Sequence, residues 1–199
     1  MKNLGKRSVL GAGLLGFLLI LSACASSAFK AEVNRFHQLS APEGEAAIIV
    51  PAEGNEGGLE FNSYAGMIGA RLDGLGYLVT AGADPDIVVT VGYGAVPDPN
   101  YRPSSGPTLG IGIGGYGSHV GGGISTSVDL SDSSQVYHRH FLTLLIDDAK
   151  TGARLYEGSA NGYAKGANMP GVMPLLIEAL FEGWPGASGT TNTVTIDSE

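Results

Sequence analysis

An α+β domain, with two helices packed on one face of a mostly antiparallel sheet, is what this 199-residue chain predicts. Three observations carry that expectation. Short β-branched runs, such as Asp86-Ile87-Val88-Val89-Thr90-Val91, sit between clusters of turn residues. Two other segments place their apolar residues at helical spacing. The elements fall in the order β-β-α-β-β-β-β-α, interrupted once by a glycine-rich insertion, so strands and helices do not simply alternate.

Taken in order, Lys30 to Phe36 alternates polar residues with Ala31, Val33 and Arg35, a faint strand pattern. Ala46-Ala47-Ile48-Ile49-Val50 is a short apolar run ended by Pro51, a better strand. Glu53 to Gly58 supplies turn residues. Tyr64, Met67, Ile68, Leu72 and Leu75 then form one apolar stripe of a helix over 59–75. Gly66, Gly69 and Gly74 weaken that helix, each by about 1 kcal/mol relative to alanine. Gly76 is suited to a left-handed cap, with Tyr77 packing back beyond it. Tyr77 to Thr80 and Asp86 to Val91 are the next strands.

From Gly94 to Ser134 the composition shifts to Gly, Ser and Pro, and this stretch is taken as an insertion. Within it Leu109, Ile111 and Ile113 alternate with Gly110, Gly112 and Gly114, a thin strand with one bare face. Ile124, Thr126 and Val128 would form its return; a flexible loop fits the same composition. Val136 to Asp147 and Ala153 to Lys165 then form a β-hairpin, with Gly152 available for positive φ in the turn. Val172, Leu175, Leu176, Ala179 and Leu180 mark the second helix, with Pro170 or Pro174 in its first turn, where a missing N–H is tolerated. Trp184-Pro185-Gly186 stops it. Residues 186–199 are a polar tail, either disordered or a late edge strand through Thr193-Val194-Thr195-Ile196.

The hairpin carries a complication. Its first strand has Leu142, Leu144 and Ile146 on one face and Tyr137, Phe141 and Leu145 on the other. Apolar residues on both faces require a second cover: the insertion, the C-terminal tail or another subunit.

The N-terminus reads as a leader. Lys2, Lys6 and Arg7 precede an apolar run from Val9 to Leu21, which small residues follow, the layout of a secretory signal. That run is too short for a permanent span of roughly 30 Å of hydrocarbon. It ends in Leu21-Ser22-Ala23-Cys24, which resembles a bacterial lipoprotein lipobox. The resemblance implies diacylglycerol on the Cys24 thiol, cleavage after residue 23 and acylation of the new N-terminus. The chain then divides into a signal over 1–23, a lipidated tether over 24–29, one domain over 30–185 with its insertion at 94–134, and the tail. Cys24 is the only cysteine, so the domain is held by packing without disulfides.

Charge restricts the partners. The chain carries 11 basic and 19 acidic residues, a net charge of −8. Losing Lys2, Lys6 and Arg7 with the signal makes the remainder more acidic still. Such a surface is unsuited to nucleic acid, whose phosphates need Lys and Arg, and anionic headgroups repel it. Membrane attachment would rest on acyl chains, at about 0.8 kcal/mol per buried CH₂. Ala25 rather than Asp after the cysteine implies, by the same lipoprotein resemblance, an outer-membrane destination facing the periplasm.

Three segments carry a second resemblance. They are Pro85 to Val91 following Gly76-Tyr77, Leu142-Thr143-Leu144-Leu145-Ile146-Asp147, and Leu155-Tyr156-Glu157-Gly158-Ser159-Ala160. These resemble the bacterial lipoprotein family catalogued as domain of unknown function 4136, over most of 29–184. That family commonly has Trp on its last strand, where this chain has Tyr156. The resemblance implies the fold and the location, and it brings no catalytic residues to carry over.

Possible chemistry is sparse. Gly110-Ile111-Gly112-Ile113-Gly114-Gly115, overlapped by Gly112 to Gly117, matches G-x-G-x-x-G, but no helical pattern follows it, as a dinucleotide site requires. His138 and His140 share one face of a strand, a spacing that suits Zn²⁺ or Cu²⁺; a third ligand such as His119 would be needed. Asp129, Asp132, Asp147 and Asp148 lack the spacing of a Ca²⁺ loop and suit turn capping. There is no G-x-S-x-G elbow. The expectation is a lipid-anchored cell-envelope protein that acts as a binding or assembly module, without cofactor. The alternatives are a periplasmic metal-binding protein using His138 and His140, and an enzyme with an unrecognised site.

Overall fold

A seven-stranded sheet carries two helices in the computed structural model, which describes residues 28–82, 84–103 and 136–197. The strands are β1 (Phe29–His37), β2 (Ala46–Pro51), β3 (Leu78–Val79), β4 (Ile87–Pro97), β5 (Tyr137–Asp148), β6 (Arg154–Lys165) and β7 (Thr190–Ile196). Helix α1 spans Leu59–Leu75 and α2 spans Met169–Phe181. The sheet order is β3-β2-β4-β5-β6-β1-β7.

The fold is α+β, but the sheet is mixed rather than mostly antiparallel. β2 pairs parallel with both β3 and β4, while the β4-β5, β5-β6, β6-β1 and β1-β7 pairings are antiparallel. The reason is α1. A helix between strands returns the chain to its starting end, so the next strands enter parallel; only tight turns enforce antiparallel neighbours. A short apolar run such as Ala46–Val50 carries no signal of direction.

α1 begins after Gly58 and ends at Gly76, whose φ of +107° is the left-handed cap. The amide of Tyr77 reaches back to the Leu72 carbonyl at 3.2 Å, closing the final turn. Phe61, Tyr64, Ile68 and Leu72 are buried, while Met67 lies outward at 41% exposure. The predicted stripe therefore loses Met67 and gains Phe61. Gly69 helps the helix approach the sheet, since a Cβ there would sit 3.4 Å from Val79 and 3.6 Å from Ile49. β3 shrinks to two residues because Tyr77 is taken into the core and Thr80 leaves the ladder.

Two boundaries shift. β4 runs on to Pro97, so Gly94 to Pro97 belong to the sheet and not to an insertion. Gly92 and Gly94 are tolerated in that strand because facing side chains occupy their empty positions: Thr143 Oγ1 at 2.6 Å from a Cβ built on Gly92, and the Phe141 ring at 2.8 Å from one on Gly94. The rest of the glycine-rich stretch, 104–135, lies outside the described residues, as do the signal, Cys24 and the start of the tether. At the other end the tail forms β7, paired to β1 from Phe29↔Ile196 to Arg35↔Thr190. It extends the sheet and does not cover its second face.

Both helices join one core with the inward faces of the strands. Ala31, Val33, Val89, Val91, Leu142, Leu144 and Ile146 are fully buried there, against Ile68 and Leu72 of α1 and Met173, Leu176 and Leu180 of α2. Each fully buried aliphatic side chain contributes roughly 1.5–3 kcal/mol. Pro170 sits in the first turn of α2, behind the Asn168 cap, and Pro174 lies inside the helix.

Two polar residues are buried with that core, Arg35 and His140. Arg35 alternates with Ala31 and Val33, so it projects under the end of α2. Its Nη2 donates to the carbonyls of Ala179, Leu180 and Glu182 at 3.2, 3.0 and 2.8 Å. These are terminal carbonyls that the helix leaves unpaired, at the negative end of its dipole. Tyr156 shares this corner, its ring 4.4 Å from that of Trp184. Burial pushes its hydroxyl up to about 12, against the downward pull of Arg35. His140 acts at the other end of α2: its Nε2 lies 3.0 Å from the carbonyl of Gly166, just before the Asn168 cap. Burial is the main cause that lowers its pKa, and neighbouring His138 adds to it.

Arg35→Met should lower unfolding stability by about 3 kcal/mol, since it strands three carbonyls in a dry corner. Denaturant titration reads this directly; a midpoint like that of the wild type would remove Arg35 from the cap. For His140 the folded-state pKa lies below the unfolded value of about 6.5. The unfolded chain therefore binds the extra proton first on acidification. Stability should hold above about pH 6.5 and fall below it, by at most ~1.4 kcal/mol per pH unit, down to the folded-state pKa. His140→Leu should flatten that limb in melts run between about pH 7.5 and 5, while an unchanged slope would assign it to other groups.

Candidate functional site

Sheet periodicity sends alternate residues to a face that neither helix covers. From β4 these are Val88, Thr90, Gly92, Gly94 and Val96; opposite them on β5 are Asp147, Leu145, Thr143, Phe141 and Arg139. β6 adds Glu157, Ser159, Asn161 and Tyr163 in register, and β1 adds Phe36, Asn34 and Glu32. Phe141 and Leu145 are half-buried here and Phe36 is 55% exposed. The predicted second apolar face exists, and among the described residues only the chain leaving β4 crosses part of it.

That crossing segment is built on tyrosines. Asp98 accepts a hydrogen bond from Tyr163 Oη at 3.2 Å, and its amide donates to the Tyr137 carbonyl at 2.8 Å. Tyr101 then lies flat on Tyr163, centroids 3.7 Å apart and planes within 2°, with Tyr137 at 5.3 Å. Partial burial and the Asp98 carboxylate raise the Tyr163 pKa, which keeps the phenol neutral and donating. Beside this stack, Arg139 donates to Asn161 Oδ1 at 2.9 Å and holds its guanidinium 5.8 Å from the Phe141 ring. Tyr101, Arg139, Asn161, Tyr163 and Glu32 line a cleft of about 430 Å³. A smaller one of about 260 Å³ lies along Leu145, Phe36, Thr143 and Glu157. Together these offer planar aromatic surface, one fixed cation and amide groups, the means of a binding surface.

The sequence-predicted site residues fare unequally. Cys24, His119, Asp129, Asp132 and the glycine motif over 110–117 lie outside the described residues. His138 and His140 do share the helix-side face, with ring centroids 6.4 Å apart. A Zn²⁺ about 2.0–2.1 Å from one nitrogen of each ring would, at a tetrahedral angle, bring the centroids to roughly 5.2 Å. The rings are too far apart for that without movement. His140 Nε2 is engaged by Gly166, its Nδ1 is buried without a partner, and His138 Nδ1 lies 3.2 Å from the Val136 carbonyl. Among the described residues no three His, Cys, Asp or Glu side chains converge on a metal position.

The aspartates at the hairpin turn hold backbone. Asp148 Oδ1 accepts from the amides of Lys150 and Thr151 at 3.0 and 2.7 Å and from the Thr151 hydroxyl at 2.8 Å. These bonds pull its pKa down. Asp147 pairs with Arg154. A second cleft of about 430 Å³ opens at this end of the sheet, between Glu43, Glu45, Tyr77, Asp86 and Asp148. Its carboxylates are already used: Asp86 accepts from the Ala46 amide at 3.1 Å and from Lys150 Nζ at 3.3 Å, contacts that lower its pKa.

Sequence reasoning missed the tyrosine stack and the Arg139 pairing. The odd-numbered face of β5 was the available signal, since Tyr137, Arg139 and Phe141 share it. Tyr101 had none, because its strand was taken to end before Gly94.

Comparison with known proteins gives a family and remote likenesses. No curated protein matches. Among solved structures, the PelC dodecamer from Paraburkholderia phytofirmans is 16% identical with a TM-score of 0.40, covering 74% of this chain and 91% of that one. A PDZ domain protein from Parabacteroides distasonis is also 16% identical, with a TM-score of 0.48, covering 84% of this chain but only 38% of that one. At these scores neither likeness says anything of role. A family model described as "Domain of unknown function (DUF4136)" matches residues 47–186, over two thirds of the chain and nearly all of the core from β2 to the end of α2, and the chain belongs to that family.

Proposed function

We propose that this chain is a lipid-anchored cell-envelope protein that works by binding or assembly through the face of the sheet opposite its helices. The observation that carries the reading is the tyrosine stack of Tyr101 on Tyr163 beside the Arg139–Asn161 pair, on a face whose Phe141 and Leu145 are only half-buried. Aromatic groups and arginine on partly open apolar surface are the residues that dominate protein–protein contacts. The reading is one of binding and not of catalysis. Its partner is another envelope protein, and its acidity argues against nucleic acid.

Leu21-Ser22-Ala23-Cys24 supports the anchor, and Ala25 supports the outer membrane, facing the periplasm. Between Cys24 and the start of β1 at Phe29 the chain extends to roughly 17 Å at most, so an acylated Cys24 would hold the domain close to the bilayer. Two or more acyl chains suffice for stable attachment without basic residues.

Two tests address the two halves of the proposal. Mass spectrometry of the N-terminal peptide should find a mature chain that begins at an acylated Cys24, and Cys24→Ser should lose the modification without a change in melting temperature. An unmodified Cys24, or cleavage elsewhere, would refute the anchor and with it the localisation. For the surface, Tyr101→Ser with Leu145→Lys should leave unfolding stability within about 1 kcal/mol, because neither side chain is in the helix-side core. The same pair should abolish crosslinking to an envelope partner in intact cells. Capture undiminished in the folded double variant would move the binding surface elsewhere.

A further inference from the structure

We propose that β7 is a docking edge for a second copy of this chain, the two β7 strands pairing antiparallel about a two-fold axis through Thr193. The two edges of the sheet are built differently. At one, β3 is only two residues long, too short to template another strand. Shortness is an ordinary protection of an edge, as are charge, proline and bulges. β7 has none of them. It runs seven residues as Thr-Thr-Asn-Thr-Val-Thr-Ile, without a charge or a proline. Its register with β1 is unbroken from Phe29↔Ile196 to Arg35↔Thr190, so no bulge turns the edge aside. β1 uses one side of the β7 backbone, and among the described residues no strand pairs with the other.

Charge selects the occupant. At a net charge of −8, two copies repel over most of their surfaces. β7 is an uncharged stretch in that field. In the two-fold arrangement Thr193 meets its own counterpart, Thr191 meets Thr195, Asn192 meets Val194 and Thr190 meets Ile196. Thr191, Thr193 and Thr195 share the sheet face of Asn34, Glu32 and Lys30, so a row of threonine pairs crosses the junction, a favourable cross-strand match. The two Glu32 side chains then stand three strand spacings apart, roughly 14 Å, beyond the screening length at physiological salt. Such a contact is isologous and closes on itself. Its small size makes it reversible and dependent on concentration.

The test is self-crosslinking of the full-length chain. Directly opposed residues of an antiparallel pair have Cα atoms about 4.5 or 5.5 Å apart, within the ~4.4–6.8 Å that a disulfide spans. Thr193→Cys should therefore give a disulfide-linked pair of identical chains under mild oxidation. Leu78→Cys, on the short edge at 62% exposure, should give no more than the background set by the wild-type chain with Cys24 alone. Thr191→Lys with Thr193→Lys should weaken self-association in sedimentation at least tenfold while leaving the melting temperature unchanged. The proposal fails if Thr193→Cys links no faster than Leu78→Cys, or if it links instead to a different protein. It also fails if the double lysine variant self-associates as the wild type does.

Discussion

The register of β5 is the constraint on which the rest of the molecule depends. β5 is the central strand of seven and is paired along its length with β4 and β6. Side chains alternate along a strand, so its register decides two surfaces at once. His140, Leu142, Leu144 and Ile146 go to the helices, fully buried, and Arg139, Phe141, Thr143 and Leu145 go to the open face. A slip of one residue would exchange the sets, burying Arg139 and exposing Leu142. The hairpin turn guards against that slip. Gly152 at φ +71° and the Asp148 carboxylate on two amides fix where β6 begins.

Register also fixes the second helix. α2 is apolar through most of its length, and apolar burial is non-directional. Packing alone would let such a helix slide or turn over the sheet. Two buried polar side chains from the sheet oppose this, one near each end: His140 of β5 at the Gly166 carbonyl ahead of the helix, and Arg35 of β1 at its last carbonyls. Both sit at positions where the strand alternation would otherwise place an aliphatic residue. They contribute orientation at the cost of desolvating a cation and an imidazole, a cost offset only because their partners are backbone groups with no other donor.

What the sequence made legible follows from the same physics. α1 was readable to its ends because an amphipathic stripe and a left-handed glycine are both local signals. The β5–β6 hairpin was readable because alternation and turn residues agree. The parallel entry of β2 was not, since Ala46–Val50 looks the same in either direction. β4 beyond Val91 was not, because Gly92 and Gly94 are strand residues only by virtue of Thr143 and Phe141 on another strand. β7 stayed ambiguous because six of its seven residues lie outside the core, which leaves a polar sequence that only its pairing with β1 makes a strand. Of the surface, the Phe141 and Leu145 side was legible as an apolar second face. The Tyr101–Tyr163 stack was not, because it joins residues far apart in sequence.

That second face is where stability and role separate. The helix-side residues of β5 are fully buried, and truncating any of them opens a cavity in a close-packed interior. Phe141 and Leu145 lie between core and solvent: cross-strand neighbours cover their flanks, and Gly92 and Gly94 remove the side chains that would stand beside them on β4. Thinning one strand in this way lets the aromatic ring lie down on backbone, and it leaves the face flat with only shallow clefts. A flat face of tyrosine, phenylalanine and arginine is poorly suited to enclosing a small molecule, which takes a concave site. It suits another surface laid against it, whose approach would finish the burial that folding leaves half complete.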